Sequence, residues 1–218
     1  MITTELLLVR HSEARCNRDG VVGGPKTCTG LSTLGQIQME RVAHSLKASA
    51  AREPIAALYA GPRRRLRESG EMLSAQLQLP LLIDDGLDGP DHGAADGKSW
   101  SAVKEEFGGG PHAHPDLPWA QGSDTWSGYL QRATDNLRTL ITKHEGERVL
   151  LACHGETVMA AYALLLGLTP ANAASFTVEH ASLTWWQKER NRFGAERWLL
   201  RRHSDTTHRD HSATQEIG

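Results

Sequence analysis

The sequence predicts an α/β domain, a three-layer αβα sandwich with a mostly parallel central sheet. Three observations lead there. Short apolar runs, Leu6 to Val9, Ile55 to Tyr59 and the stretch from Arg148 to Cys153, read as strands buried on both faces. Segments of helical period alternate with those strands. Two of the strands run straight into a histidine, His11 and His154, at the carboxyl edge where open α/β sheets bind ligands.

Composition narrows the class. The chain has 218 residues, 39% hydrophobic and 23% charged, which suits one globular domain with a substantial core. A formal net charge of -2 gives no electrostatic case for nucleic acid or a membrane surface. No apolar run is long enough to span a bilayer, and Met1 to Glu5 lacks the pattern of a secretion signal, so a cytoplasmic location is expected. Cys16, Cys28 and Cys153 are odd in number and irregularly spaced, which argues against a disulfide framework. Most of the eleven histidines, including His180, His203, His208 and His211, read as surface residues.

Taken in order, the first strand leads into Asp19 to Pro25, a glycine-rich loop that can offer backbone N–H groups to an anion or simply be flexible surface. Ser32 or Thr33 caps a helix whose apolar face is Ile37, Val42, Ala43 and Leu46. After the strand at Ile55 to Tyr59, Pro62 suits the first turn of a helix that carries Arg63, Arg64, Arg65 and Arg67. The run can simply be a solvated helical face, but one of these arginines pointing back into the crevice would be a phosphate or carboxylate fork. Leu79 to Ile83 is a third strand. Asp84 to Gly97 is loop, Ser99 to Phe107 a short helix, and Gly108 to Gly122 a lid or insertion holding His112 and His114. That His-x-His pair lacks a third metal ligand nearby. Ser123 or Asp124 caps the next helix, with Leu130, Ala133, Leu137 and Ile141 on its inner face. A helix from Thr157 to Leu166 starts directly after His154, so its first N–H groups face whatever His154 touches. Strands at Ser182 to Gln187 and Glu196 to Arg201 follow. Leu183 to Trp186 offers an apolar edge for a homodimer. Residues 1–209 thus form a single catalytic domain with a lid at about 84–124, and a disordered tail from Asp210.

These pieces resemble the histidine phosphatase superfamily, the fold shared with cofactor-dependent phosphoglycerate mutases. Arg10-His11-Ser12-Glu13-Ala14-Arg15-Cys16-Asn17 is similar to the family's Arg-His-Gly-Glu-Thr-x-x-Asn. Leu31 to Gln38 is similar to Leu-Thr-x-x-Gly-x-x-Gln, and Gly61 to Glu71 to Ser-Pro-Leu-x-Arg-Ala-x-x-Thr-Ala-Glu. Cys153-His154-Gly155 matches Ser-His-Gly, and Ser204 to His208 resembles Asn-Asp-x-x-His. The resemblance implies His11 as nucleophile, with Arg10, Arg65 and His154 clamping the phosphate and Asn17 orienting one of its oxygens. It implies no metal and no cofactor. An imidazole that accepts a phosphoryl group splits one hydrolysis into two easier steps, and crowded positive charge keeps that imidazole neutral.

One departure concerns the leaving group. The family's acid lies in Leu-x-Glu-x-x-x-Gly, which here reads Leu87-Asp88-Gly89-Pro90-Asp91-His92-Gly93, leaving Gly89 at the acid's position. In an extended loop Asp91 would face the same side and Asp88 the other. Asp91 is therefore the favoured general acid, with Asp88 and Glu156 as the other candidates. Glu156 is read as a contact to a cationic or hydroxyl group of the substrate. The expected activity is hydrolysis of a small-molecule phosphate monoester through a phosphohistidine. The competing readings are a mutase, a non-catalytic phosphoester-binding protein and, last, a metal hydrolase on His112 and His114. If Trp100, Trp119 and Trp126 line the mouth rather than pack, a ring-bearing or sugar-like phosphate fits best.

Overall fold

The computed structural model describes residues 2–171 and 175–209; the expected tail from Asp210 lies outside them. Strand β1 (Ile2–Arg10) is the axis. Beyond the short α1 (Arg15–Arg18), the chain runs through α2 (Thr33–Ala50), β2 (Ala57–Ala60), α3 (Arg64–Leu77) and β3 (Leu81–Ile83). Then come α4 (Trp100–Phe107), α5 (Trp126–Lys143), β4 (Arg148–Cys153), α6 (Gly155–Leu166), β5 (Leu183–Arg190) and β6 (Glu196–Asp205). The six strands make one mixed sheet in the order β3-β2-β4-β1-β5-β6. Strands β3, β2, β4 and β1 are mutually parallel, and β5 pairs antiparallel with both β1 and β6.

The alternation of side chains along the inner strands builds two cores. Leu6, Leu8, Val149, Leu151 and Trp186 pack against α5 and α6 on one face. Leu7, Val9, Leu58, Leu150 and Ala152 pack against α2 and α3 on the other. Because both faces of β1 and β4 are covered, Leu6 to Val9 and Val149 to Cys153 run apolar without a break instead of at every second position. A third, smaller cluster of Val22, Ala95, Val103 and Trp119 lies between the glycine-rich loop and α4.

Several local expectations are corrected. Arg63 is the N-cap of α3, so Pro62 precedes the helix instead of lying in its first turn. Thr125 caps α5 through a bond from the Gly128 N–H, in place of Ser123 or Asp124. Ser32 caps α2 as expected, but Ile37 is 44% exposed and Met39 takes its place in the core. Strand β5 is interior, paired on both sides, so Leu183 to Trp186 cannot be an edge; the edges are β3 and β6. Trp119 is buried in the third cluster with Trp100 packed against it, and Trp126 packs on the main core, so the tryptophans serve packing. Among the described residues no helix is long and apolar enough to cross a membrane.

Candidate active site

Register brings the two histidines together. Arg10 pairs with Cys153 across β1 and β4, so the residues that follow, His11 and His154, leave the sheet side by side at its carboxyl edge. Their ring centroids are 5.2 Å apart, nearly perpendicular. β2 ends in the same row, with Ala60 opposite Ala152, and hands the chain to the start of α3.

His11 is 3% exposed. Its Nδ1 lies 2.8 Å from the Ser12 carbonyl, an acceptor only, so Nδ1 carries the proton. Nε2 then carries the lone pair, and it accepts from Arg65 Nε at 3.1 Å. Burial, then Arg65, His154 and Arg10, hold the His11 pKa well below the ordinary histidine value, leaving it neutral. Arg65 donates from Nη1 to the Gly23 carbonyl at 2.7 Å, and its Nη2 lies 3.4 Å from His154 Nδ1. The glycine-rich loop therefore presents a carbonyl to Arg65, and its Gly24 and Lys26 N–H groups are taken by the Asp96 carboxylate. Arg10 donates to the Val178 carbonyl, and its Nη2 lies 2.8 Å from His180 Nε2. Asn17 accepts from the Ala14 N–H through Oδ1, which leaves its amide nitrogen as the donor.

His154 is the N-cap of α6 and is 1% exposed. Burial, followed by Arg65, Arg63, His92 and Arg10, also keeps its pKa well below normal. Glu156 sits in the first turn of α6. Burial pushes its carboxyl up, but Arg10, its own backbone N–H, His92 and Arg65 together pull it below the usual value, so it stays ionised. A group held in that state is a poor proton donor and a good partner for a cation or hydroxyl.

The structure revises the carboxylates of the loop after β3. Asp91 is exposed; its Oδ1 accepts from the Gly93 N–H and its own N–H donates to Asp124, so it is tied into the loop and touches neither histidine. Asp88, not Asp91, is the carboxylate of this loop beside the histidines: its Oδ1 lies 3.6 Å from His154 Nε2. Side-chain partners, not the backbone alternation alone, decide the outcome: Arg63 draws the Asp88 carboxylate inward, while the Gly93 N–H and Asp124 hold Asp91 at the surface.

Three further residues join the site that the sequence reading left out. Arg63, 5% exposed, lies against both oxygens of Asp88, Nε at 3.0 Å from Oδ1 and Nη2 at 3.2 Å from Oδ2. His92 is 3% exposed, packed edge-on against Trp119, with burial and then Arg63 lowering its pKa to about 4. His180, beside Arg10, is likewise brought down to about 4, first by burial and then by Arg10. His208 donates from Nε2 to the Ala181 carbonyl at 2.7 Å and so braces the His180 turn. His112 and His114 are exposed. Among the described residues no group of three or more His, Cys, Asp or Glu side chains is arranged to hold a metal ion.

Arg10 Nε, Ser12 Oγ, Arg63 Nη1, His92 Nδ1 and His154 Nε2 are all buried without a hydrogen-bond partner among the described residues. Buried polar atoms are rarely left so. Their convergence with Arg10 and Arg65 makes a cationic, donor-rich cup suited to a phosphoryl group.

The family model described as the histidine phosphatase superfamily (branch 1) matches residues 6–201. A metal-independent phosphoserine phosphatase of Arabidopsis thaliana is 27% identical, over 78% of this chain and 71% of its own. A putative phosphoserine phosphatase 2 of Hydrogenobacter thermophilus is 26% identical, over 82% and 87%. Among solved structures, a mycobacterial glucosyl-3-phosphoglycerate phosphatase complexed with VO3 superposes with a TM-score of 0.76 at 21% identity, covering 91% of this chain and 97% of that one. A phosphoglycerate mutase from Bacillus anthracis does so with 0.75 at 17%, covering 95% of each. At these identities the superpositions speak for the fold alone.

Proposed function

Since this chain belongs to the histidine phosphatase superfamily, we propose that it hydrolyses small-molecule phosphate monoesters through a phosphohistidine on His11. The observation that carries the route is the fixed tautomer: Nδ1 is committed to the Ser12 carbonyl, and the Nε2 lone pair faces the arginine-lined cup. Nε2 attacks phosphorus and the ester P–O bond breaks. Arg10 and Arg65 offset the charge on the transferring group, with Asn17 and His154 as additional donors. Water then attacks the phosphohistidine, releasing phosphate and restoring Nε2. Asp88 replaces Asp91 as the carboxylate on the leaving-group side, because it alone of the two reaches His154. Glu156, held ionised, is the contact for a cationic or hydroxyl group of the substrate. A cytoplasmic setting belongs to the same reading and is supported by three free cysteines, two of them buried.

The test is hydrolysis of an aryl phosphate with excess EDTA, by wild type and by His11→Ala. Turnover that survives EDTA and vanishes in the variant is expected. Turnover that EDTA abolishes, or that His11→Ala retains, contradicts the proposal.

A further inference from the structure

Two departures from the family pattern, far apart in sequence, touch in space. Position 89 carries glycine where the pattern has its glutamate, and position 63 carries arginine where the pattern Ser-Pro-Leu has leucine. A Cβ placed on Gly89 would lie 3.1 Å from Arg63 Nη1, 3.0 Å from His154 Cδ2 and 3.1 Å from His154 Nε2. The Arg63 guanidinium thus fills the space into which a side chain at 89 would grow. The loop is built around it: Asp88 brackets the guanidinium with both oxygens, and the Pro90 carbonyl accepts from Nη2 at 3.3 Å. Arg132 holds the same turn from α5 through the Asp88 and Gly89 carbonyls. Arg63 and His154 side chains are each 1% exposed, so this is a fixed part of the pocket floor.

We propose that Arg63 sets the leaving-group specificity of the site. By binding Asp88 as a salt-bridged carboxylate and crowding the one position, 89, where the family pattern has its acid, it leaves the pocket without a proton donor for the departing oxygen. The substrates are then phosphate monoesters of acidic hydroxyls, phenols or enols, whose oxygen departs with the P–O electron pair as a stable anion and takes its proton from water afterwards. Alkyl phosphates, whose alkoxide must be protonated as it leaves, are turned over poorly. Arg63 is a positioning residue: it acts through Asp88, whose carboxylate is left to take a proton from the water that attacks phospho-His11. Glu156 does not fill the gap, since the cations around it keep it ionised. The inference rests on the phosphohistidine reading above, but it concerns the leaving group alone.

The experiment measures kcat/KM, which reports phosphorylation of the enzyme, for aryl phosphates of graded leaving-group acidity and for phosphoserine. General acid catalysis contributes on the order of 10²–10⁴-fold. Wild type should therefore show a steep dependence on leaving-group acidity and favour the best aryl ester over phosphoserine by at least about 10²-fold. Asp88→Asn should leave that dependence unchanged. Arg63→Met should narrow the aryl-to-alkyl ratio by about tenfold or more, as Asp88 loses the guanidinium that ties up both its oxygens, and Arg63→Lys, which lacks the fork, should narrow it less. A shallow dependence in wild type that Asp88→Asn makes steep would overturn the proposal, because Asp88 would then be a proton donor despite Arg63. Comparable turnover of both ester classes that vanishes in His11→Ala overturns this inference and leaves the phosphohistidine intact. Comparable turnover that survives His11→Ala overturns both.

Discussion

His11 owes its chemistry to where its two nitrogens point, and the residues around it owe theirs to helix phase. Arg63 and Arg65 turn inward from the start of α3, whereas Arg64 pairs on the surface with Glu68, 2.7 Å away. The charge of Glu156 opposes the phosphate from inside the cup. Replacing it with glutamine is expected to tighten inhibition by inorganic phosphate several-fold, up to about tenfold for the loss of roughly 1.4 kcal/mol of repulsion, while weakening any substrate that carries an ammonium group. Unchanged phosphate inhibition would remove Glu156 from the cup. Residues at strand ends, Arg10, His11 and His154, were legible because a buried apolar run that stops at a charged residue marks the sheet's edge. Arg63, His92 and His180 were not, because their place depends on which way a helix starts and how loops fold back. The nearest signal for Arg63 was its spacing: arginines two apart across a helix start, one before the first turn and one within it, can share a direction that Arg64 and Arg67 cannot.

Elements are fitted to the site at their ends. Helix α2 approaches the loop after His11 so closely that a Cβ on Gly35 would run into the Glu13 carbonyl, the same oxygen that accepts from the Ser32 N–H. Gly35→Ala would normally favour a helix. Here it is expected to destabilise the fold by about 1–3 kcal/mol through overpacking, read as a lower denaturant midpoint with unchanged slope; a stabilised variant would show that the contact is loose. Helix α6 begins at Gly155, whose Cβ would crowd Arg10 Nε at 3.3 Å, two residues before the start expected from its apolar run. Periodicity locates the middle of a helix, and capping side chains decide its end, which is why the middles of α2, α5 and α6 were readable and the caps of α3 and α5 were not.

At the scale of the molecule, the two-faced burial of β1 and β4 made the layered fold readable, whereas the strand order did not follow from sequence. An apolar strand at Leu183 to Trp186 looked like an exposed edge only because its partner β6, with polar residues over much of its length, gave no apolar signal. Burial leaves its mark on stability as well. His11, His92, His154, His180 and His208 all have folded-state pKa values below the ordinary 6.5. Below pH 6.5 the unfolded chain binds protons that the folded chain refuses, so stability falls as the pH drops. The window runs from about 6.5 down to about 4 for His92 and His180, and His11 and His154, also held below the ordinary value, add to the decline in the same direction. The melting temperature should decline steadily from pH 7 to pH 4.5, and His92→Gln should lessen the slope. A melting temperature that holds constant over that range would mean these histidines accept protons in the folded state.

The most direct measurement is to quench the enzyme during turnover of an aryl phosphate and locate the phosphoryl group by mass spectrometry and phosphorus NMR. The expected result is an acid-labile phosphoryl group on His11, bonded to Nε2 because Nδ1 is held by the Ser12 carbonyl, and absent from His11→Ala. A phosphoryl group on another residue, or on Nδ1, would contradict the account.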